Sequence, residues 1–520
     1  MPVARIACRS QLGLLAPLVQ VEVSLASGLP AFCIVGLPAT VIKESKERVR
    51  AALTNSGFDF PAGRITVSLA PAELPKEGGR FDLPIALGIL LASGQLTAAD
   101  TESSCEFYGE LGLTGELKPV RGLLLAAVHA HGHSHEVIVP CGNAAEAAAV
   151  GPHRVRAASH LLEVCAHVSG ARLLPRYIPS SGAGARCSQE IAQSDLADVR
   201  GQWLAKRALL VCAAGSHSLL LIGPPGSGKT MLAQRLPGLL PALTDSEALE
   251  VASIAAASAG SFSAEQYGRR PFRTPHHTSS IAALVGGGAR ARPGEVSLAH
   301  HGVLFLDELP EFERTVLDAL REPLESGYVA VSRAALQNRY PAMFQLVAAM
   351  NPCPCGRRGD PAAQCACSPA QVRFYRGRIS GPLLDRLDLQ VEVARLSSQD
   401  FEALAAGPQE TTAAAAARVA QARSLQLERQ GVWNARLTDA GVQHWCSLDA
   451  RGERLLAQAM DRFALSGRAR QRVLRVARTI ADLEGARSVD VTHVGEALAL
   501  RMLDRPLTTA PSAPCDRRLA

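Results

Sequence analysis

LLLIGPPGSGKT, which occupies residues 219–230, is the most informative segment of this chain. Its four leading apolar residues predict a short buried strand. The remainder fits the pattern G-x-x-x-x-G-K-[ST] at every fixed position, and a helical pattern follows it, which disfavours a chance match. Glycines in such a loop let backbone N–H groups converge on a phosphate, because no Cβ atom blocks the approach. The predicted nucleotide-binding residues are Gly223, Pro224, Pro225, Gly226, Ser227, Gly228, Lys229, Thr230 and Met231.

An apolar strand that ends in two acids, GVLFLDE at residues 302–308, supplies the partners that this loop needs. Lys229 would contact the β- and γ-phosphates, and the Thr230 hydroxyl would bind Mg²⁺. Asp307 would hold the magnesium ion, and Glu308 would orient and polarise the attacking water. Such a strand is a weak signal alone, but it is strong downstream of a complete phosphate loop. ATP and Mg²⁺ are therefore the expected cofactors.

The composition sets limits on the class of protein. The chain has 520 residues, of which 47% are hydrophobic and 20% charged, as in soluble globular proteins of about three domains. Its formal net charge of +6 permits nucleic-acid binding without requiring it, and 4% aromatic residues disfavour an extensive base-stacking surface. No apolar run approaches the roughly 18 residues that span a bilayer, and no signal-peptide pattern opens the sequence. We expect a cytoplasmic protein with reduced or metal-bound cysteines and no membrane partner.

Changes in composition and periodicity predict five segments. Residues 1–172 alternate strand-like and helix-like patterns and are expected to form an α+β domain. Residues 173–190 are rich in Pro, Gly and Ser, as in a linker. Residues 191–395 are expected to form the α/β nucleotide-binding core, and residues 396–505 a helical domain. The tail, residues 506–520, is expected to be disordered.

The N-terminal domain contains ELPKEGGRFDLP, residues 73–84, which resembles the loop before the nucleophile helix of Lon-type protease domains. The resemblance implies a ribosomal S5-type fold. Lon-type proteases use a Ser–Lys dyad, and a serine nucleophile needs a base within hydrogen-bond reach. Here the expected serine position lies in RFDL, residues 80–83, and the expected lysine segment, residues 120–127, contains no lysine. We predict a Lon-like domain without peptidase activity.

A segment ahead of the phosphate loop, Asp198-Val199-Arg200-Gly201-Gln202, resembles the one that lines the adenine pocket of AAA+ ATPases. The resemblance implies nucleotide contacts for Asp198, Val199, Gly201 and Gln202. The alternative is an ordinary helix start at which Asp198 is the N-cap residue. The residues alone leave both interpretations open.

Two further features lie around the acidic strand. RPFRTPHHTS, residues 270–279, is unlike a regular helix and predicts an inserted loop. Its paired histidines could bind a metal ion, or they could shape the loop or contact a substrate, since no third or fourth ligand is evident nearby. An alternating segment at 327–333 and a second strand-like segment at 342–349, with Asn338 and Arg339 in the turn between them, predict a β-hairpin. Asn351 follows directly, at the position of the sensor 1 residue, and would help to place the water or the γ-phosphate.

Four cysteines come next, as the pairs Cys353 with Cys355 and Cys365 with Cys367. Four thiolates can close a tetrahedral zinc site. The usual pairs have C-x₂₋₄-C spacing, however, and a C-x-C pair strains a shared tetrahedron. Zinc binding and reduced structural cysteines in a Gly/Pro-rich loop therefore both remain open.

Two arginines downstream are candidates for contacts with the γ-phosphate. Arg386 lies in LLDRLD, a segment that supplies an arginine finger across the subunit interface in ring ATPases with such an insert. A delocalised fork of donors suits the charge that spreads over the γ-phosphoryl oxygens. The alternative is a surface arginine paired with Asp385 or Asp388. Arg468 begins a basic helix and fits sensor 2, the lid arginine that reaches the nucleotide.

The phosphate loop, RPFRTPHHT, AAMNPCPCG, LLDRLD and SGRAR together resemble the ComM/YifB family of magnesium-chelatase-like AAA+ ATPases over nearly the whole chain. The resemblance implies a homo-hexameric ring with active sites between subunits. It also implies a DNA motor that drives branch migration of recombination intermediates in natural transformation. Analogy of fold alone does not establish that last step.

Three functions are compatible with these motifs. A DNA translocase is favoured by arginines in the hairpin, Arg333 and Arg339, and in the insert, Arg290 and Arg292. A magnesium-chelatase motor subunit is disfavoured by the long N-terminal domain, which such subunits generally lack. A protein remodeller is disfavoured because no aromatic pore loop is evident. The expected partners are further copies of the chain, branched or unbranched DNA, and recombination proteins.

Overall fold

The computed structural model describes most of the chain, namely residues 3–36, 40–74, 76, 78–99, 105–149, 151, 154–178, 195–259, 266–288, 291–333, 336–360, 363–395, 409–501 and 503. The predicted tail and most of the predicted linker lie outside these residues. Two compact units are present, one formed by Met1–Ile191 with Thr244–Arg269 and the other by Ala192–Leu243 with Arg270–Ala520. Among the described residues, no helix has the length and apolar character needed to cross a membrane.

The first unit is built on a seven-stranded mixed sheet in the order β3-β4-β2-β1-β5-β8-β9. Its antiparallel pairs are β1 with β2 and β2 with β4, and the remaining neighbours run parallel. The strands are β1 (Val3–Arg9), β2 (Leu18–Ala26), β3 (Ala31–Val35), β4 (Arg64–Ala70), β5 (Cys105–Phe107), β8 (Glu136–Pro140) and β9 (Val155–Ala158), with a small hairpin of β6 (Glu110–Leu111) and β7 (Leu117–Lys118).

Helices cover this sheet. Their bounds are Thr40–Asn55, Asp82–Ala92, Leu123–Gly132, Ala144–Ala148 and Leu161–Val168. Asp82 lies in the stretch where a Lon-type serine is expected, and its buried carboxylate pairs with Arg48, at 2.7 Å between Oδ2 and Nε. The Lon-type, ribosomal S5-type character of the domain stays a prediction.

The helix Asp245–Ala259 belongs to the first unit, although its residues lie within the predicted nucleotide-binding core, 191–395. Its small residues Ala252 and Ala256 are buried against Leu124. Alanine side chains let a helix approach a neighbour closely, and this contact is invisible in the sequence because the partners are far apart in the chain. The segment between the two nucleotide motifs therefore packs with the N-terminal domain.

The second unit contains a five-stranded parallel sheet in the order β11-β14-β17-β10-β18. Its strands are β10 (Leu219–Ile222), β11 (Phe272–Arg273), β14 (Val303–Leu306), β17 (Gln345–Met350) and β18 (Leu389–Glu392). All residues of β10, β14 and β17 are buried, as expected for parallel strands covered on both faces. The predicted α/β core is confirmed. The carboxyl ends of these strands meet along one edge, where residues that follow them can form a common site.

Helices connect the strands of this unit. Their bounds are Trp203–Gly215, Lys229–Ala233, Leu236–Leu239, Ile281–Leu284, Glu295–Leu298, Arg314–Asp318, Arg321–Ser326, Pro369–Gly377 and Gly381–Leu384.

Two hairpins accompany the sheet. The first consists of β12 (Gly286–Gly287) and β13 (Arg292–Pro293), and the second of β15 (Tyr328–Arg333) and β16 (Leu336–Pro341). The predicted second hairpin is confirmed, but its return strand is β16, whereas residues 342–349 lead into β17 of the main sheet. The Tyr340 hydroxyl donates to the Ala291 carbonyl at 2.8 Å, so the two hairpins are joined.

The C-terminal part is helical, as predicted. Each helix begins after a Thr, Ser or Asp residue whose side chain accepts a hydrogen bond from the backbone of the first turn, the usual N-cap arrangement. The helices span Thr412–Gln430, Asp439–Trp445, Ala450–Phe463, Gly467–Leu483 and Val491–Ala499. The Gly467–Leu483 helix is buried along Val473, Ala477 and Ile480.

The carboxylate of Asp388 joins these helices to the amino end of the sheet. It accepts a hydrogen bond from the Ser218 backbone N–H at 3.1 Å, and it lies 3.4 Å from His217 Nδ1. Arg472, on the Gly467–Leu483 helix, contacts its other oxygen at 3.3 Å. Burial acts to raise the pKa of Asp388, but His217, Arg472 and the Ser218 N–H outweigh burial and hold that pKa well below its ordinary value.

Asp388→Asn should therefore lower the free energy of unfolding near neutral pH by about 3 kcal/mol, because Arg472 loses its buried carboxylate partner. A depressed folded-state pKa contributes stability above the unfolded pKa of about 3.9, and this contribution is lost as the pH falls through the folded pKa. Denaturant unfolding of both proteins between pH 7 and pH 3 should thus show a difference that shrinks in acid.

Asp439→Asn is the matched control, because the side chain of Asp439 is 80% exposed and lies 3.8 Å from Arg475. Exposed ion pairs contribute little, so a change within about 0.5 kcal/mol is expected. Equal destabilisation by the two substitutions would contradict the special position of Asp388.

Candidate nucleotide-binding site

The phosphate loop begins where β10 ends. Two different structural requirements favour glycine in it, namely backbone conformation and lack of space for a side chain. Gly226 and Gly228 have φ values of 77° and 91°, and a Cβ atom on either would face open space. Their backbone conformation, rather than crowding, therefore favours glycine. At Gly223 a Cβ atom would lie 2.2 Å from the Val393 carbonyl oxygen, so no side chain fits. The Ser227 hydroxyl is buried without a hydrogen-bond partner among the described residues, which suits a loop shaped for a bound anion.

The ammonium group of Lys229 lies inside this loop. Its Nζ atom donates to the carbonyl oxygens of Gly223 and Pro224, at 2.8 and 2.9 Å. A third contact, at 3.3 Å, joins it to Oδ1 of Asn351. Burial lowers the pKa of Lys229, and two nearby carboxylates act against this shift. The structure thus brings the predicted phosphate lysine and the predicted sensor amide to one point.

The predicted magnesium ligands are also adjacent. Thr230 Oγ1 donates to Asp307 Oδ2 at 2.9 Å, across the edge of the sheet from β10 to β14. The other oxygen of Asp307 accepts from the backbone N–H of Glu308 at 2.9 Å. A hydroxyl beside a carboxylate is the oxygen donor set that Mg²⁺ takes next to phosphates, so these residues fit the ion. They would hold it where it could neutralise charge developing between the β- and γ-phosphoryl oxygens.

His277 is the partner of Glu308, a pairing that no sequence motif predicted. Its Nδ1 atom lies 3.5 Å from Glu308 Oε2, and its ring meets Phe312 edge-on at 6.5 Å. Glu308 itself has a left-handed backbone with φ of 53°. Neither His276 nor His277 belongs to a group of three or more metal-ligating side chains in the described part of the chain. His277 therefore positions the carboxylate, and only the paired histidines hinted at a functional role.

The predicted adenine segment forms a turn ahead of a helix. Leu196–Asp198 is a 3₁₀ turn, and the helix Trp203–Gly215 starts after Gln202, whose φ is 55°. The alternative in which Asp198 caps this helix is wrong, because the helix begins five residues later. Val199 and Gly201 are buried, and the Gln202 side chain donates to the Ala394 carbonyl.

Arg235 connects this turn to the helix that follows the phosphate loop. It belongs to none of the sequence motifs. Its buried guanidinium donates to the carbonyl oxygens of Asp195 and Met231, at 2.9 and 2.6 Å. It also lies 3.4 Å from the Asp198 carboxylate. One arginine therefore places the adenine candidates beside the residue that follows Thr230.

Arg386 and Arg468 lie elsewhere in the same unit. Both line a cleft of about 1010 Å³, and among its described lining residues none belongs to the phosphate loop, 223–231. Arg386 donates to the Pro382 carbonyl at 2.7 Å and pairs with Glu325, not with the aspartates considered from the sequence. The predicted sensor 2 residue, Arg468, thus lines the same cleft as the predicted arginine finger, Arg386. Further arginines line the cleft, namely Arg436, Arg472 and Arg475.

A parallel sheet with this strand order, a phosphate loop after the inner strand β10 and an acidic pair after β14 define a P-loop ATPase core of the AAA+ class. Family models of magnesium chelatase match the chain in three parts. Residues 195–401 match magnesium chelatase, subunit ChlI; residues 21–143 match subunit ChlI of Mg-chelatase; and residues 409–501 match the ChlI C-terminal region.

Similar proteins cover almost all of the chain. The competence protein ComM of Haemophilus influenzae is 47% identical over 507 residues, 98% of this chain and 99% of the relative. YifB of Salmonella typhimurium is 47% identical over 508 residues, 98% of each protein. The magnesium-chelatase 38 kDa subunit of Rhodobacter capsulatus is 29% identical over 220 residues, 39% of this chain and 56% of that subunit. The chain belongs to the ComM/YifB family of magnesium-chelatase-like AAA+ ATPases, and this membership supports ATPase activity.

His277→Ala should lower kcat for ATP hydrolysis about tenfold, because loss of the polar partner 3.5 Å from its carboxylate costs on the order of 1 kcal/mol in the placement of Glu308. The KM for ATP should change little, since His277 contacts none of the phosphate-loop residues in the described structure. Steady-state kinetics at saturating Mg²⁺ would measure both values.

His276→Ala is the control, because His276 also packs on the His277 ring, at 4.2 Å between ring centres, but its own polar contact is with Thr278, at 2.8 Å, and not with Glu308. It should retain nearly full kcat. A fall in kcat of the same size for both variants, or a rise in KM alone for His277→Ala, would contradict a positioning role.

Proposed function

We propose that this chain is an ATP-driven DNA motor that assembles as a homo-hexamer and moves branch points in recombination intermediates during natural transformation. Its cofactors are ATP and Mg²⁺, with Zn²⁺ at the four cysteines, and its location is the cytoplasm. The competence protein ComM, 47% identical over nearly the full length, supports this choice of process. DNA and recombination proteins are its proposed partners.

The observation that carries the proposal is the continuity between the β15–β16 hairpin and the nucleotide site. β16 ends at Pro341, and β17 begins four residues later and ends beside Asn351. The amide of Asn351 contacts Lys229 in the phosphate loop. A change at the γ-phosphate can therefore be transmitted along one strand to the hairpin.

The hairpin offers a basic group to a phosphate backbone. Arg339 is exposed on β16, opposite Ala330, and its guanidinium lies 3.2 Å from the centre of the Tyr328 ring. Stacking on an aromatic ring holds the side chain extended while leaving its donors free for phosphate oxygens. Arg292 is exposed on the joined hairpin. The placement of Arg290 and of the Arg333 side chain lies outside the described residues.

The positions of Arg386 and of the phosphate loop at opposite ends of the strands support an assembly of several copies. Ser218, at the amino end of β10, donates to the Arg386 carbonyl at 2.6 Å, whereas the phosphate loop follows the carboxyl end. A four-residue strand separates the two by about 13 Å. This separation supports a role for Arg386 and Arg468 at the nucleotide of a neighbouring copy rather than at their own. Glu325 holds Arg386 in the single chain, and Arg386 Nε has no partner among the described residues.

The alternatives are a magnesium-chelatase motor subunit and another protein-remodelling ATPase. The chelatase subunits matched cover 39% of this chain, so the likeness to them is limited to part of it. Both alternatives predict an ATPase that DNA does not stimulate, which separates them from the DNA motor.

Mixing Arg386→Ala subunits with Glu308→Gln subunits should restore ATP hydrolysis that each variant lacks alone. Glu308→Gln removes the base, and Arg386→Ala removes the finger, so an interface with one of each regains a complete site. In an equal mixture about a quarter of the interfaces have this arrangement, and about that share of wild-type turnover is expected. Phosphate release would measure it.

The control is a mixture of Glu308→Gln with Lys229→Ala. These two changes affect the same side of the interface, so no interface regains both groups. Failure of the first mixture to recover activity, in subunits shown by native mass spectrometry to share hexamers, would contradict action between subunits.

Wild-type protein should move the branch point of a synthetic four-way junction in an ATP-dependent manner, and DNA should stimulate its ATPase. Arg339→Ala should weaken junction binding and reduce the slope of log affinity against log salt by about 1, the value for one lost phosphate contact. Fluorescence anisotropy at several salt concentrations would measure the slope.

Arg451→Ala serves as the matched control, since Arg451 is exposed on the Ala450–Phe463 helix, outside both hairpins. It should leave the slope unchanged. Absence of both junction movement and DNA-stimulated ATPase, in verified hexamers at low salt, would exclude the DNA motor in favour of the alternatives.

A further inference from the structure

We infer that Cys353, Cys355, Cys365 and Cys367 bind one Zn²⁺, and that this ion braces the phosphate loop and Asn351 from outside the nucleotide site. The brace rests on the proposed ATP site, whereas the metal site stands on its own geometry. Zinc is favoured among divalent ions because four soft thiolates in a tetrahedral arrangement select it over hard cations.

The four sulfur atoms converge on one point. Cys353 Sγ lies 3.4 Å from Cys355 Sγ and 3.7 Å from Cys365 Sγ, and the latter two are 3.7 Å apart. All four lie within 4.8 Å of one another. A tetrahedron with Zn–S bonds of about 2.3 Å has sulfur separations of about 3.8 Å. A disulfide would need a separation of about 2.0 Å, so the spacing fits a shared metal ion and not oxidised pairs.

The strain expected of two C-x-C pairs is absorbed by the loop that joins them. Gly356 and Gly359 have φ values of 74° and 79°, a left-handed backbone that turns the chain back on itself. The Gly356 N–H donates to the Cys353 carbonyl at 3.0 Å and closes the first turn. The second pair can thus approach the first from the opposite side.

Backbone N–H groups lie around three of the sulfurs. Those of Arg358 and Arg357 are near enough to favour negative charge on the sulfurs of Cys353 and Cys355, and that of Cys355 acts in the same way on Cys367. Donors around a sulfur stabilise a metal-ligating thiolate and orient it. These surroundings agree with the sulfur distances.

The first turn of this cysteine loop lies directly against the nucleotide site. A Cβ atom on Gly356 would lie 2.8 Å from Cδ of Pro225, in the phosphate loop, and 3.8 Å from Cγ of Asn351. Cys353, two residues after Asn351, is fully buried at 0% exposure. Any loosening of the cysteine loop would therefore free the outer side of the phosphate loop.

The second end of the cysteine loop returns to the same place. Ser368 follows Cys367 and caps the helix Pro369–Gly377 through a capping box with Gln371. Tyr375, a buried residue of this helix, lies close to the Asn351 backbone. Both ends of the loop thus lie near Asn351, and a metal ion between them would fix the distance. Because metal binding and local folding are coupled in such loops, removal of the ion should release both ends.

Zinc content tests the metal site without reference to activity. Full-length protein purified without a histidine tag should contain about one zinc ion per chain by elemental mass spectrometry. The double variant Cys355→Ser/Cys367→Ser should lose it, and Cys141→Ser, which changes an exposed cysteine of the other unit, should retain it. Less than about half a zinc ion per chain in the wild type would overturn the site.

The brace is tested by ATP affinity in the Glu308→Gln background, with a fluorescent ATP analogue as the probe. Cys355→Ser/Cys367→Ser should raise Kd about tenfold, in the range found when groups that orient a site are removed. Loss of zinc with unchanged Kd would overturn the brace and leave the metal site standing. Absence of analogue binding by protein with intact cysteines would instead count against the ATP site.

Substitutions at two glycines distinguish the effect of the contact between the cysteine loop and the phosphate loop from the effect of metal binding. Gly356→Ala should keep zinc yet raise Kd for the analogue, because its Cβ atom would press on Pro225. Gly359→Ala has the same backbone strain, but its Cβ atom would meet the Glu392 carboxylate at 3.4 Å, away from the phosphate loop. Equal Kd values for the two variants would overturn the contact between the cysteine loop and the phosphate loop.

Discussion

Parallel pairing of β10 with both β17 and β18 is the constraint on which the nucleotide site depends. All four residues of β10 are buried, so its backbone groups must find their partners in the two neighbouring strands. The resulting register sets Ile222 beside Met350 on one side and Glu392 on the other. The phosphate loop and Asn351 therefore leave the sheet at the same level, and β14, paired with β17, brings the acidic residues to the same edge.

The opposite edge of the sheet has its own group of charges. Asp388 holds Ser218, His217 and Arg472 together before β10 and β18 begin. The same segment of chain contains Arg386, so the carboxylate that anchors the helical part also fixes one wall of the arginine-lined cleft. The sheet thus separates the candidate phosphate and metal ligands from the charges around Asp388, and the length of β10 keeps the two groups apart.

Much of the core site could be predicted from the sequence, because its motifs are local. A phosphate loop needs glycines and a lysine at fixed spacing, and the acids must directly follow a buried strand. For that reason the consecutive residues Lys229 and Thr230 are found hydrogen-bonded to Asn351 and to Asp307, respectively. The hairpin before Asn351 was also expected, but its return strand was misplaced, since two strands follow β15 in succession and the sequence does not show which one pairs with it.

The sequence by itself determined the class of the protein, the α/β core and the residues that would contact phosphate and metal, since these follow from short-range pattern. Tertiary structure alone decided the rest. His277 reaches Glu308, Arg235 reaches Asp195, and the helix Asp245–Ala259 packs on the N-terminal unit, each through contacts between residues distant in the chain. The two C-x-C pairs likewise converge only because the loop between them turns back. Such contacts depend on how separate elements are packed, and that packing has no counterpart in local spacing.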